Sequence, residues 1–160
     1  MKRIFMLLAA GAVLVGCDYK VALLQEPVND IDKSIIGTWL TEDEHGETKR
    51  MQVLPYSSRQ YLVVNNAGTK DEMFARGMLW RKDGLALIQL EWLPQENDEQ
   101  ENNFQFALYE CKDNLLRVRL LNPDVVANNI DTAEKLEKAI LSNRENGALF
   151  REVTEYRKRK

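Results

Sequence analysis

The chain has 160 residues, 44% of them hydrophobic and 29% charged, with a formal net charge of −3. That length suits one domain with a real core and leaves two domains cramped. The acidic balance argues against nucleic-acid binding, which needs a basic face to displace counterions.

Lys2 and Arg3 precede an apolar run over residues 4–15, and residues 14–17 read Leu-Val-Gly-Cys. A basic start, an apolar core and a small residue before a cut are the three parts of a secretory signal. At roughly 1.5 Å per residue the run rises about 18 Å, short of the roughly 30 Å of hydrocarbon that a spanning helix crosses. Leu14, Val15, Gly16 and Cys17 together resemble the lipobox of bacterial lipoproteins. The resemblance implies cleavage after Gly16, diacylglyceryl transfer to the Cys17 thiol and N-acylation of the new terminus, with no other cofactor. Each buried methylene of such chains contributes about 0.8 kcal/mol, so two or more chains give stable anchoring. Asp18 resembles the signal that retains enterobacterial lipoproteins on the periplasmic face of the inner membrane; the outer membrane is the alternative. Loss of Lys2 and Arg3 with the leader takes the formal charge from −3 to −5.

Residues 17–33 read as a tether, because Pro27, Asn29, Asp30 and Asp32 work against regular structure. Within it, residues 21–24 are apolar and are expected to pack back on the domain, or else to lie at the membrane interface. The expected division is a signal peptide at 1–16, a lipidated terminus and tether at 17–33, and a β domain at 34–160.

From Ile35 onward, short apolar or β-branched runs alternate with turn chemistry about every ten residues, the pattern of an antiparallel sandwich or barrel. His45 with Gly46, residues 55–58, residues 66–68, Asp83 with Gly84, residues 95–103 and Asp113 with Asn114 mark the turns. Asp83 with Gly84 is the strongest hairpin signal. In 84–93, Ala86, Ile88, Leu90 and Trp92 share one face, with Leu85, Leu87, Gln89 and Glu91 on the other. In 115–121, Leu116, Val118 and Leu120 oppose Arg117 and Arg119. A helix follows, with Asp131 as its cap, Glu134 three positions on, Ala133, Leu136, Ala139 and Ile140 at helical spacing, and Asn146 with Gly147 as its stop. Residues 148–156 complete the series as an eighth strand.

Gly37, Thr38 and Trp39 at the start of the first strand, followed by a meander, resemble the Gly-x-Trp opening of lipocalins and related calycin barrels. The resemblance implies a mainly β fold: an antiparallel up-and-down eight-stranded barrel, with one helix before the last strand. It also implies that Trp39 plugs one end and that an Arg of the final strand, Arg151 or Arg157, packs over its ring.

The chain carries little catalytic chemistry. His45, the only histidine, sits in an acidic stretch that reads as a solvated hairpin. The oxygen-rich run 95–103 lacks a Gly to turn around a cation, so no metal site is expected. With Cys17 lipidated, Cys111 is alone, which leaves no disulfide framework and no thiolate metal cluster. The basic run 157–160 reads as a solvated tail, or else as a contact with anionic headgroups. An enzyme is the least supported class.

Two binding readings follow. In one, a barrel mouth takes a small hydrophobic molecule, lined by residues drawn from Met73, Phe74, Met78, Trp80 and Trp92. In the other, an exposed face meets an envelope protein partner. Phe74, Arg76, Met78 and Trp80 share a face by alternation; pointing outward they would favour the protein partner, where aromatics and Arg are enriched. The outward case, and with it a non-catalytic interaction module, is the expectation.

Overall fold

Eight strands follow one another in chain order around a closed barrel: β1 (Gly37–Glu42), β2 (Thr48–Pro55), β3 (Gln60–Asn65), β4 (Met73–Lys82), β5 (Leu85–Trp92), β6 (Asn103–Lys112), β7 (Leu115–Leu120) and β8 (Thr154–Lys158). The computed structural model describes residues 18–95 and 103–160, so Gly16, Cys17 and most of the acidic run at 95–103 lie outside the described residues. All neighbouring strands are antiparallel, and β8 closes on β1 through Trp39 with Lys158 and Leu40 with Arg157. This is the mainly β, up-and-down eight-stranded barrel that the resemblance of the Gly37–Trp39 opening implied, one of the two architectures the turn pattern left open, with α1 (Ala133–Ser142) before the last strand.

The tight turns follow from local chemistry. Asp83 and Gly84 have φ of 50° and 81°, and Asp113 and Asn114 have φ of 51° and 64°. Two consecutive positive φ values match the right-handed twist of the flanking strands, and Gly, Asn and Asp tolerate them best. The β1–β2 connection is held by Asp43, whose Oδ1 accepts from the backbone N–H of His45 and of Glu47, both at 2.9 Å.

Residues paired across the ladder share a face, so the registers sort every strand into lumen and outer wall. The lumen holds a cluster of Trp39, Val53, Tyr61, Val63, Ala75, Leu79, Ile88 and Leu116, closed at one end by Ile35. Ile35 belongs to a 3-10 turn, Lys33–Ile35, whose cap Asp32 accepts from the Ser34 N–H at 2.9 Å. Around this plugged end lie the 56–59, 83–84 and 113–114 turns. Among the described residues, the opposite, open end is ringed by connections at 43–47, 66–72, 93–95 and 121–153.

A second core lies outside the barrel wall. Trp80, Leu87, Phe104 and Phe106 point outward and are covered by Tyr19, Ala22, Leu121, Val126, Leu136, Ile140, Leu149 and Phe150. Strand β5 is thus apolar on both faces because both are covered, Ile88 within the barrel and Leu87 beneath the helix.

Residues 18–33 are therefore not a tether. Tyr19 pairs with Phe104 as a bridge and is 1% exposed, and its hydroxyl donates to the Val126 carbonyl at 2.7 Å. The chain then runs down the outer wall as a strap. Gln89 Oε1 accepts from the N–H of Leu23 and Leu24 at 2.7 and 2.9 Å, and its Nε2 donates to the Leu24 carbonyl at 2.9 Å. Asn29 Nδ2 donates to the Leu79 carbonyl at 2.8 Å, and the Ile31 N–H donates to the Ser58 carbonyl at 3.0 Å. Pro27, Asn29 and the two Asp residues do prevent regular structure, but side chains of the barrel take up the freed backbone groups.

Three boundaries also differ from expectation. Thr132 caps α1, its Oγ1 accepting from the Lys135 N–H at 3.3 Å, while Asp131 pairs with Lys135 Nζ at 2.8 Å. The helix ends at Ser142 rather than Asn146, with Asn143 as its cap and Asn143 Nδ2 donating to the Ala139 carbonyl at 2.9 Å. Its docked face, Leu136 and Ile140, is wholly buried, worth about 1.5–3 kcal/mol for each side chain. The last strand begins at Thr154, not at residue 148. Leu149 and Phe150 instead fill the outer core, and Arg119 holds the following turn by donating from Nε to the Arg151 carbonyl at 2.7 Å.

Candidate functional site

The face carrying Phe74, Arg76, Met78 and Trp80 points outward, opposite Ala75 and Leu79 of the lumen. It is not an exposed patch. Met78 and Trp80 are buried, Trp80 within the outer core. Arg76 Nη2 meets Glu91 Oε2 at 2.7 Å, and only Phe74 of the three apolar residues stays open, at 38%. The shared face was legible from alternation; its outward direction comes from closure of the barrel, and the cover over it from the strap and the helix.

Trp39 sits at the base of the lumen with 0% exposure, and its indole N–H donates to the Ile35 carbonyl at 2.8 Å. The cation over its ring is Lys158 of β8, with Nζ 5.3 Å from the centroid, and neither Arg151 nor Arg157. Arg157 pairs with Leu40 and shares its outward face, one residue out of phase with the ring. Arg151 precedes β8, and its backbone is tied to Leu120 and Arg119.

Above this plug the lumen is open. Met51, Leu90, Trp92, Val118 and Tyr156 face inward against the core yet are only half-buried. An inward-facing side chain that keeps solvent contact marks unfilled space inside the barrel. Trp92 carries the telling detail: its Nε1 is buried with no hydrogen-bond partner among the described residues. A buried indole N–H ordinarily finds an acceptor. Burial also pushes the Tyr156 hydroxyl above its ordinary range. Register also places Asn65, Asn103, Gln105 and Thr154 on the lumen side here, so the open half offers a wall of mixed polarity with an indole donor and a neutral hydroxyl. Of the expected lining residues, Met73 and Trp92 face this space, while Phe74, Met78 and Trp80 do not. Leu90, Val118 and Tyr156 were not singled out from the sequence, although strand alternation places each on the lumen side.

A polar cluster clamps the strap at the plugged end. The Tyr61 hydroxyl accepts from the Asp32 N–H at 2.6 Å, and the Tyr109 hydroxyl lies 3.1 Å from Asp32 Oδ2. Burial opposes the charge on Asp32, but hydrogen bonds from Ser34 and Tyr109, with Arg81 nearby, hold its carboxyl below the usual range. Burial pushes the Tyr61 hydroxyl up to about 12. A raised phenol stabilises the fold fully below its unfolded value of about 10, and that stability is lost as pH climbs through the folded value. Thermal melts are thus expected to show a loss of about 2–3 kcal/mol from Tyr61 between roughly pH 10 and 12. Tyr109 and Tyr156, also raised by burial, add in the same direction. Tyr61→Phe should remove its share of the slope; an unchanged slope would show that Tyr61 is not the group being titrated.

The remaining candidates are structural or exposed. Cys111 points toward the plugged end, its Sγ 3.5 Å from the Ser34 carbonyl. His45 stands exposed in its hairpin, 3.5 Å from Glu44. Among the described residues no group of three His, Cys, Asp or Glu side chains is arranged to hold a metal, and no helix is long and apolar enough to cross a membrane. A groove of about 530 Å³ on the outer wall mixes Lys49, Arg50, Lys70 and Arg159 with Glu47 and Asp71. The Arg159 N–H donates to the Thr38 carbonyl at 2.8 Å, so the basic run is stitched to the barrel up to that residue rather than trailing free. Compared with protein-family models, with curated proteins and with solved structures, the chain matches none.

Proposed function

We propose that the mature chain is a non-catalytic binding module of the cell envelope, anchored by diacylglyceryl and N-acyl chains on Cys17, that takes a small apolar ligand in the open half of the barrel. The observation that carries the ligand reading is the inward-facing Trp92, whose buried Nε1 has no hydrogen-bond partner among the described residues, beside inward-facing side chains that stay only half-buried. A ligand with an acceptor group would satisfy that donor and fill the space beside Leu90, Val118 and Tyr156. The protein-partner reading loses its main support, since Met78 and Trp80 are already covered by the chain itself. Residues 1–17 support the anchor as a motif, and Asp18 favours the periplasmic face of the inner membrane over the outer membrane.

The test is native mass spectrometry on residues 18–160 purified gently from the periplasm. The protein should carry a reproducible extra mass that is released on denaturation. Val118→Phe, which fills the lumen, should abolish that mass while the barrel remains folded by circular dichroism. A clean apo mass for the unaltered chain would turn attention back to a protein partner.

A further inference from the structure

We propose that the open end of the barrel is the membrane-facing surface: the anchor pins the mouth against the headgroups, and the lumen exchanges its ligand with the bilayer rather than with the aqueous periplasm. This rests on the reading of Cys17 as the lipidated residue.

The argument begins from the strap. Tyr19 is fixed on both sides of its backbone, its N–H donating to the Phe104 carbonyl at 2.7 Å and its carbonyl accepting from the Phe104 N–H at 2.9 Å. Its ring packs edge-on against Phe106, with centroids 5.3 Å apart. Asp18 is held as well, through Gln105 Nε2 at 2.9 Å. Cys17 is thus one residue from a locked position at the rim. Consecutive Cα atoms are about 3.8 Å apart, so two peptide steps reach at most about 8 Å. The headgroup zone of a bilayer is itself roughly 5–8 Å deep in each leaflet. A thioether at glycerol depth therefore leaves the rim among the headgroups, with no length of chain to let it stand off or turn over.

Exposed large apolar side chains stand toward both ends: Phe74 at 38%, Leu93 at 36% and Val153 at 48% here, and Val28 at 60%, Leu54 at 39% and Tyr56 at 65% on the strap and toward the plugged end, so the short link to Cys17, and not apolar content, selects this end. Phe74 and Leu93 adjoin through the Leu93 N–H donating to the Phe74 carbonyl at 2.9 Å. Strand order puts this pair at the β4–β5 edge and Val153 just before β8, so they flank the Tyr19 position beside β6 on both sides. Arg157 and Lys158 lie toward the plugged end, while the Arg159 side chain lines the outer-wall groove with Lys49, Arg50 and Lys70. Glu42, Asp43, Glu44 and Glu47 stand at the open end with Lys49 and Lys70, a mixed-charge rim that suits zwitterionic lipid better than anionic lipid.

The experiment uses the processed, full-length lipoprotein in phosphatidylcholine vesicles. In a Cys111→Ala background, an environment-sensitive dye is attached at Lys70→Cys on the open end or at Lys112→Cys on the plugged end. A nitroxide on the lipid headgroup should quench the Lys70 position several-fold more than the Lys112 position. Inserting about ten Gly and Ser residues between Asp18 and Tyr19, which adds roughly 17 Å of flexible reach, should erase the difference. Equal quenching at both ends, or stronger quenching at Lys112, overturns the orientation, and a difference that survives the insertion overturns the short link as its cause. The intact mass separates the two levels: acylated protein with equal quenching sinks only this inference, whereas an unmodified Cys17 sinks the anchor reading and the orientation with it.

Discussion

Trp39→Ala is expected to cost about 3–5 kcal/mol of folding stability, the range for removing a fully buried aromatic. Trp39 is 0% exposed and touches the cluster that closes the barrel, including Ile35, Val53 and Tyr61. Its loss opens a cavity beneath an already half-filled lumen, so little material is available to collapse into the gap. The Ile35 carbonyl also loses the donor that ties the 3-10 turn to the barrel floor, and Lys158 loses the ring beneath it. Urea denaturation of residues 18–160 measures the effect. Trp39→Phe keeps most of the volume and deletes the N–H, so it should cost about 1–3 kcal/mol, chiefly from the unsatisfied carbonyl. An unchanged midpoint in the Ala variant would sink the plug assignment.

Gln89→Leu should be nearly as damaging, although it places a larger hydrophobe in a buried site. Gln89 is 1% exposed and satisfies three backbone groups of the strap at once, two as acceptor and one as donor. Leu satisfies none of them, and each buried group left without a partner costs about 1–3 kcal/mol. Partial release of the strap to water relieves some of that, so the net loss should be about 3 kcal/mol. The same release should make residues 20–32 newly sensitive to limited proteolysis under native conditions. Unaltered stability together with a protected strap would show that Gln89 is not what holds it.

Much of the barrel could be read from the chain because its determinants are local. Asp83 with Gly84 and Asp113 with Asn114 announce their hairpins, since few other residues accept two positive φ values in succession. The period-two alternation of Leu116, Val118 and Leu120 with Arg117 and Arg119 sorts β7 into faces without any knowledge of its neighbours. The shared face of Phe74, Arg76, Met78 and Trp80 was legible in the same way, whereas its outward direction is set by closure of the barrel.

What the sequence by itself determined, then, was strand existence, turn position, strand parity and the helix before the last strand. All of these depend on contacts within a few residues. The tertiary structure decided which faces are covered and which space stays empty. Tyr19 reaches Val126 across 107 positions, and Leu23 reaches Gln89 across 66. No local pattern encodes partners so distant, so residues 18–33 read as a tether while folding as a strap. The phase of β8 escaped for a related reason. Burial of Leu149 and Phe150 in the outer core delays the strand to Thr154, and the closing register with β1 then brings Lys158, not Arg157, over Trp39. The environment of Trp92 is likewise a property of closure: it looks like core in its own strand, and only the ring of eight strands turns it inward with no acceptor for its Nε1 among the described residues.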